Sequence, residues 1–291
     1  MKGERILVAG CGDVGSALAR VLVADGASVF GLRRRPDHLP PGVEPVAIDL
    51  RRPEEMTRLP AGVTCLVFAA AADSSAEDAY RAVYVNGLRN LLNGLAASGS
   101  VPARMVFTSS TGVYGQTGGE WVDETSATEP PGFSGRVMLE AEAVLAEHAS
   151  RLGVAASSLR LGGIYGPGRT RLLDLVRSGR ATCVEGGPRW TNRIHVEDAA
   201  EAVRHLLRID EAGGAWVGVD DEPAEQCAVY DWLADRMGLP RPPRVPEASE
   251  ARRGANASNK RCSNRRLRAS GFRFRFPSFR EGYAEMLAAG D

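Results

Sequence analysis

Apolar positions in this chain gather in short runs, each followed by a stretch in which they recur every three or four residues. The first run, Ile6-Leu7-Val8-Ala9, reads as a strand, and Ala17, Leu18, Val21 and Leu22 then form one side of a helix that Asp25-Gly26 closes. Further strands are expected at residues 28–32, 46–50, 65–70 and 104–108, with helices over 77–97 and 134–152. Alternating strands and helices of this length predict an α/β fold built on a doubly wound parallel sheet. Its ligand belongs at the carboxyl ends of the strands. Later in the chain, residues 172–176 and 228–237 read as helices, and Trp216-Val217-Gly218-Val219 as a short strand. Together they predict a small C-terminal α+β lobe, with Pro240-Arg241-Pro242-Pro243-Arg244 as a stiff linker. The expected division assigns 1–168 to the sheet domain, with 193–220 returning to it, and 169–192 and 221–291 to the lobe.

The hand-over from first strand to first helix carries Gly10-Cys11-Gly12-Asp13-Val14-Gly15, the G-x-G-x-x-G spacing of a Rossmann-type dinucleotide site. Gly10 permits the tight turn, Gly12 lets a diphosphate approach bare main chain, and Gly15 lets the helix lie close on its strand. The helix N-terminus then offers unpaired N–H groups and the favourable end of the dipole, at Asp13 and Val14, to an anion. About twenty residues on, where an NAD enzyme carries an acid for the ribose hydroxyl, the chain reads Arg33-Arg34-Arg35. A guanidinium gives a 2′-phosphate charge-assisted hydrogen bonds, so Arg33 and Arg34 favour NADP, with NAD as the other possible cofactor. A carboxylate stands near the end of the expected third strand at Asp49, and the fourth strand, closing on Ala69 and Ala70, runs into Ala71-Ala72, whose small side chains would let backbone lie against a cofactor.

Thr108-Ser109-Ser110-Thr111-Gly112-Val113-Tyr114-Gly115 resembles the S-S-x-x-V-Y-G segment of the extended short-chain dehydrogenases/reductases, the NAD-dependent epimerase/dehydratase family. The resemblance extends to Gly87-Leu88-Arg89-Asn90-Leu91-Leu92, Leu159-Arg160, Ile164-Tyr165-Gly166-Pro167-Gly168 and Arg193-Ile194-His195-Val196-Glu197-Asp198. It implies an NAD(P)-dependent oxidoreductase working on a sugar carbon, commonly of a nucleotide sugar. It also implies that Asp49 and Leu50 flank the adenine and that Ser109 and residues 69–71 border the cofactor. Ser110 falls at the family's substrate-binding serine.

The same resemblance places the family's catalytic Tyr on Ser134 and its Lys on Met138, with Glu142 as the anchoring acid and Tyr84 in place of the usual Asn. Asn86 is nearby but out of register. A serine hydroxyl is a far weaker acid than a phenol, and a thioether has neither the charge nor the hydrogen bonds of an ammonium. Ala9 likewise replaces the first glycine of the family's G-x-x-G-x-x-G. Tyr114, Tyr165 and His195 are the candidate substitutes in the proton transfer, and Arg136 is a candidate to bind an anionic substrate or a cofactor phosphate, each with a plain structural alternative. The tyrosines would pack under turns, His195 would cap a helix, and Arg136 would be a solvated charge. The acids Glu120, Asp123 and Glu124 lack the partners a metal site needs, so no metal is expected.

Composition narrows the rest. Hydrophobic residues make up 44% and charged residues 25%, the values of an ordinary globular chain. With 36 basic and 36 acidic side chains there is no net field pointing to nucleic acid or membrane, and no early apolar run is long enough for a signal or a membrane span. The basic excess between 240 and 280 faces Glu247, Glu250 and little else, and reads as solvated charge or as an arginine-held nucleotide diphosphate. Five scattered cysteines suit a reducing cytoplasm. A homodimer through 77–97 and 134–152 is expected, with Ala141, Ala143 and Ala146 permitting close approach. Two functions stay open: an NADP-dependent oxidoreductase on a small molecule, or an NADP(H)-binding regulatory protein without catalysis.

Overall fold

The computed structural model describes residues 1–210, 212–246 and 258–290. The elements run β1 (Arg5–Ala9), α1 (Asp13–Ala24), β2 (Ser28–Arg33), β3 (Val43–Ala47), β4 (Cys65–Phe68), α2 (Glu77–Arg81), α3 (Leu88–Ala97), β5 (Arg104–Ser110), β6 (Glu120–Val122), α4 (Phe133–Leu152), β7 (Ala155–Leu161) and β8 (Gly163–Tyr165). They continue with α5 (Arg171–Arg177), β9 (Cys183–Val184), β10 (Trp190–Thr191), β11 (Arg193–His195), α6 (Val196–Leu206), β12 (Gly214–Gly218), β13 (Ala224–Glu225), α7 (Gln226–Met237), β14 (Arg244–Val245), β15 (Lys260–Cys262), α8 (Arg265–Ala269) and α9 (Phe279–Ala289).

Seven strands form one parallel sheet in the order β12-β7-β5-β4-β1-β2-β3. Successive side chains of a strand face opposite sides, and β1 shows what that does to the core. Leu7 and Ala9 pack with α3 and α4 on one face, while Ile6 and Val8 pack with α1 and α6 on the other. A near-continuous apolar run is therefore needed to fill both layers, which is why the strand does not alternate with polar residues. From β1 the chain first builds β2 and β3 on one side, then crosses to build β4, β5, β7 and β12 on the other. Such a reversal opens a crevice at the carboxyl ends of β1 and β4. A third apolar cluster joins α5, α7 and α9 through Leu173, Leu233 and Phe279.

Several readings depart from the expectation: the short strand read at 216–219 with the lobe is β12, the far edge of the main sheet. The third strand lies at Val43–Ala47 rather than 46–50, because β2 ends at Arg33, opposite Ala47, and leaves Asp49 and Leu50 without a strand partner. Pro45 is tolerated there since β3 is the sheet's edge and no neighbour needs its N–H. The helix expected over 77–97 is wound as a π-turn at Ala82–Gly87 between α2 and α3. Its apolar spacing does not encode that change of register. Finally, the arginines of the C-terminal region find acids brought in by the fold: Arg241 with Asp235, Arg244 with Asp231, Arg268 with Asp221, and Arg275 with Glu197 and Glu285. Glu247 and Glu250 lie outside the described residues.

Candidate functional site

The crevice is a cleft of about 580 Å³, and its floor is the turn from β1 into α1. Gly10 takes φ +100°, and a Cβ there would stand 2.3 Å from both Cα and N of Ala70. Gly15 is equally constrained, since its Cβ would meet the carbonyl oxygen of Gly10 at 2.1 Å. Gly12 differs: it caps α1, and a Cβ on it would meet nothing within 4 Å. Bare main chain at the start of α1 therefore opens onto free space, a cradle that suits a diphosphate and that a side chain would fill. Gly10, Gly12, Asp13, Val14, Ala69, Ala70 and Ala71 all line the cleft, whereas Gly15 lies beneath it as a packing residue.

Arg33 and Arg34 line the same cleft from the end of β2, and Arg35 does not. Arg34 pairs with Asp73 at 2.6 Å, both half-exposed. Asp49 and Leu50 also line it, with Arg51 beside them. Arg51 grips Asp49 through Nε and Nη2, and those hydrogen bonds push the Asp49 carboxyl down to about 2, against the opposing effect of burial. Of the three guanidinium groups at this end of the cleft, Arg34 is paired with Asp73 and Arg51 with Asp49, and Arg33 lines it beside them.

At the other end, Thr108, Ser109, Ser110 and Met138 reach the cleft from β5 and α4. Ser109 donates to Glu142 Oε1 at 2.6 Å, and Glu142 in turn accepts from Arg160 at Nε and Nη2. Arg160 completes the chain by donating to the Tyr114 hydroxyl at 3.0 Å. Burial works to lower the guanidinium's pKa, but its bonds to Glu142 raise it on balance. Ser110 Oγ accepts from Gly112 N at 3.0 Å, which leaves its proton free for another oxygen. Ser134 is exposed at the start of α4 and is not among the residues that line the cleft, so the Ser134 and Met138 positions, four apart on one helix, are not brought together there. Tyr84 is brought in instead, on the π-turn, with its ring 5.2 Å from that of Tyr80. Burial, and then Tyr80, push its phenol pKa up. Asn86 is exposed and off the cleft.

The other candidates take structural positions. Burial pushes Tyr114 up to about 12, and Tyr165 stacks on Tyr283 at 4.5 Å while donating to Ser278 O. His195 caps α6 by accepting from Glu197 N, and burial pushes it down to about 4. Arg136 donates to Pro131 O on the surface. Asp123 closes its own turn with Thr125 and Ser126, Glu120 accepts from Gly118 N, and Glu124 accepts from Val217 N. Among the described residues no group of three His, Cys, Asp or Glu could hold a metal ion, and no helix is long and apolar enough to cross a membrane. Sequence reasoning missed Arg51, Tyr80 and Arg169, which also line the cleft. Only Arg169 had a usable signal, since it follows the Ile164-Tyr165-Gly166-Pro167-Gly168 motif at the end of β8.

The sequence profile of the NAD dependent epimerase/dehydratase family matches residues 6–217. Among solved structures, a Methylobacillus flagellatus protein assigned to the NAD-dependent epimerases/dehydratases is 36% identical, covers 98% of each chain and superposes with a TM-score of 0.79. A conserved protein of unknown function from Silicibacter pomeroyi is 29% identical over 98% of this chain and 99% of its own, with a TM-score of 0.78. The Thermus thermophilus UDP-glucose 4-epimerase, solved with NAD, shares the fold at 24% identity, 96% coverage of both chains and a TM-score of 0.78. A search of the curated proteins finds no match. With a seven-stranded doubly wound sheet, a glycine cradle at its switch point and a profile match across most of its length, this chain belongs to the NAD dependent epimerase/dehydratase family.

Proposed function

We propose that this chain is a nicotinamide-dinucleotide oxidoreductase of the epimerase/dehydratase type, preferring NADP to NAD and lacking the Tyr-Lys pair. The observation that carries the reading is the cradle: open space above Gly12, with Gly10 and Gly15 closed by backbone contacts and Arg33 and Arg34 on the neighbouring strand end. Main-chain N–H groups of α1 would hold the diphosphate, Arg33 and Arg34 the 2′-phosphate, and Ala69, Ala70, Ala71 and Ser109 would border the cofactor, with Asp49 and Leu50 at the adenine. When bound, the nicotinamide supplies two-electron exchange with a carbonyl or alcohol carbon. Ser110 has a free proton with which to hold the reacting oxygen, and Met138 contributes apolar surface where a charge would otherwise stand.

The substrate is a small molecule bearing a carbonyl or hydroxyl, with nucleotide sugars as the class suggested by the UDP-glucose epimerase fold. Residues 169–192 and 221–291 would form the lobe that receives it. The free thiols suit the cytoplasm, and the exposed Ala143 and Ala146 on α4 suit a homodimer; Ala141 instead packs in the chain's own core. Calorimetric titration with NADPH and NADH, followed by substrate-dependent oxidation of NADPH, tests the reading. Tight binding with no exchange across a carbonyl panel would favour the second reading, a regulatory NADP(H) binder. The apolar Met138 in the cleft and the exposed Ser134 outside it are what keep that reading in view.

A further inference from the structure

Arg169 and Asp13 are 156 positions apart, yet the Arg169 Nε donates to Asp13 Oδ2 at 2.6 Å across the mouth of the cleft. Asp13 is the first residue of α1, where the backbone N–H groups and the helix dipole favour an anion. A carboxylate at that place repels a diphosphate unless a cation stands between the two. Arg169 is that cation. Its backbone N–H closes a tight turn onto Gly166 O at 2.8 Å, with Pro167 second and Gly168 third at φ +76°. That is the residue pattern of a type II turn, which fixes the base from which the side chain projects. The guanidinium spends only Nε on Asp13. Nη1 and Nη2 have no hydrogen-bond partner among the described residues, and the side chain is 40% exposed at the cleft.

We propose that Arg169, oriented by Asp13, clamps the diphosphate of the bound dinucleotide from the side opposite the glycine cradle. The proposal rests on the cofactor reading above and adds a residue from outside the glycine motif to it. One guanidinium edge stays on the carboxylate while the two free nitrogens reach phosphoryl oxygens, the forked geometry that an arginine provides and a lysine does not. Asp13 is then a positioning residue: useful while Arg169 is present, and simply repulsive once it is gone.

Binding to the full chain, measured by calorimetry with NADPH, ADP-ribose and adenosine 2′,5′-bisphosphate, tests this without reference to turnover. Arg169→Ala is expected to raise Kd for NADPH and for ADP-ribose by about tenfold. The bisphosphate, which has no diphosphate bridge, is expected to bind as before. Asp13→Asn is expected to weaken NADPH binding about threefold in the wild-type background and to strengthen it in the Arg169→Ala background, a change of sign that only a coupled pair produces. Both side chains are half-exposed, so the variants should melt like the wild type. Arg169→Ala leaving NADPH affinity within twofold, or weakening all three ligands alike, would overturn the clamp. An Asp13→Asn effect of one sign in both backgrounds would overturn the positioning role. A wild-type protein that binds none of the three would instead overturn the cofactor reading, and the clamp with it.

Discussion

Two alanine substitutions five atoms of backbone apart should have opposite consequences. At Gly10 the added methyl meets Ala70 Cα and N at 2.3 Å, and φ is +100°. The left-handed backbone costs an L-residue about 1–2 kcal/mol, and forcing atoms into a closed contact about 1–3 more. Neither obstacle is a flexible side chain that could swing aside. Gly10→Ala should therefore lose about 3 kcal/mol, a fall of about 6–12 °C in thermal midpoint at about 2–4 °C per kcal/mol. At Gly12 the backbone is extended, at φ −76° and ψ −150°, and no atom lies within 4 Å of the methyl. Gly12→Ala should leave stability within about 0.5 kcal/mol, since a weaker helix cap is offset by a less flexible unfolded chain. Its methyl nevertheless enters the space assigned to the diphosphate. Loss of one charge-assisted main-chain bond, about 1.5–3 kcal/mol, weakens NADPH binding about 10- to 100-fold. Circular-dichroism melts and calorimetric titration of both variants decide the matter. A Gly12→Ala protein that folds and binds NADPH within about threefold of wild type would show that no diphosphate lies against this turn.

The remaining predictions concern charge. Arg33→Asp should weaken NADPH about 10- to 100-fold and leave NADH equal or tighter; if titration finds both affinities unchanged, Arg33 does not read the 2′-phosphate. Glu142→Ala strands Arg160, whose side chain is 8% exposed, and should cost about 3–5 kcal/mol in urea unfolding, with Arg160→Met in addition recovering much of it. A loss below about 1 kcal/mol would mean the buried pair is not what holds α4 to β7. His195 is held neutral by burial, its pKa pushed down to about 4, so the unfolded chain binds more protons than the fold in mildly acid solution. The stability this contributes is present above about pH 6.5 and is lost as pH falls toward about 4, close to 2 kcal/mol of it between about pH 7 and about pH 5. His195→Asn should flatten that slope, and melts across the range that show the same slope in both proteins would refute it.

The α/β class, the doubly wound sheet and the glycine turn were legible in the sequence because each rests on a local requirement. Ile6 to Ala9 are apolar without interruption since both faces of β1 are covered, and Gly10 is glycine since only glycine takes φ +100° there at little cost. The sequence also picked out most of the residues that line the cleft around the glycine turn, because a strand, a turn and a helix close in the chain suffice to build that wall. Tertiary structure alone decided the rest. Asp49 and Leu50 fall beyond β3 because the partner strand runs out, and the turn of helix holding Tyr84 is widened in a way that hydrophobic spacing does not record. Ser134 and Met138 look like neighbours in the sequence frame, yet only Met138 faces the cleft. Ser109, Glu142, Arg160 and Tyr114 form one buried chain across β5, α4, β7 and the loop after β5, and Arg169 reaches Asp13 from more than half the chain away. Local pattern specifies backbone conformation and which face is apolar; which charges meet is set by contacts between distant segments, and those exist only once the layers have packed.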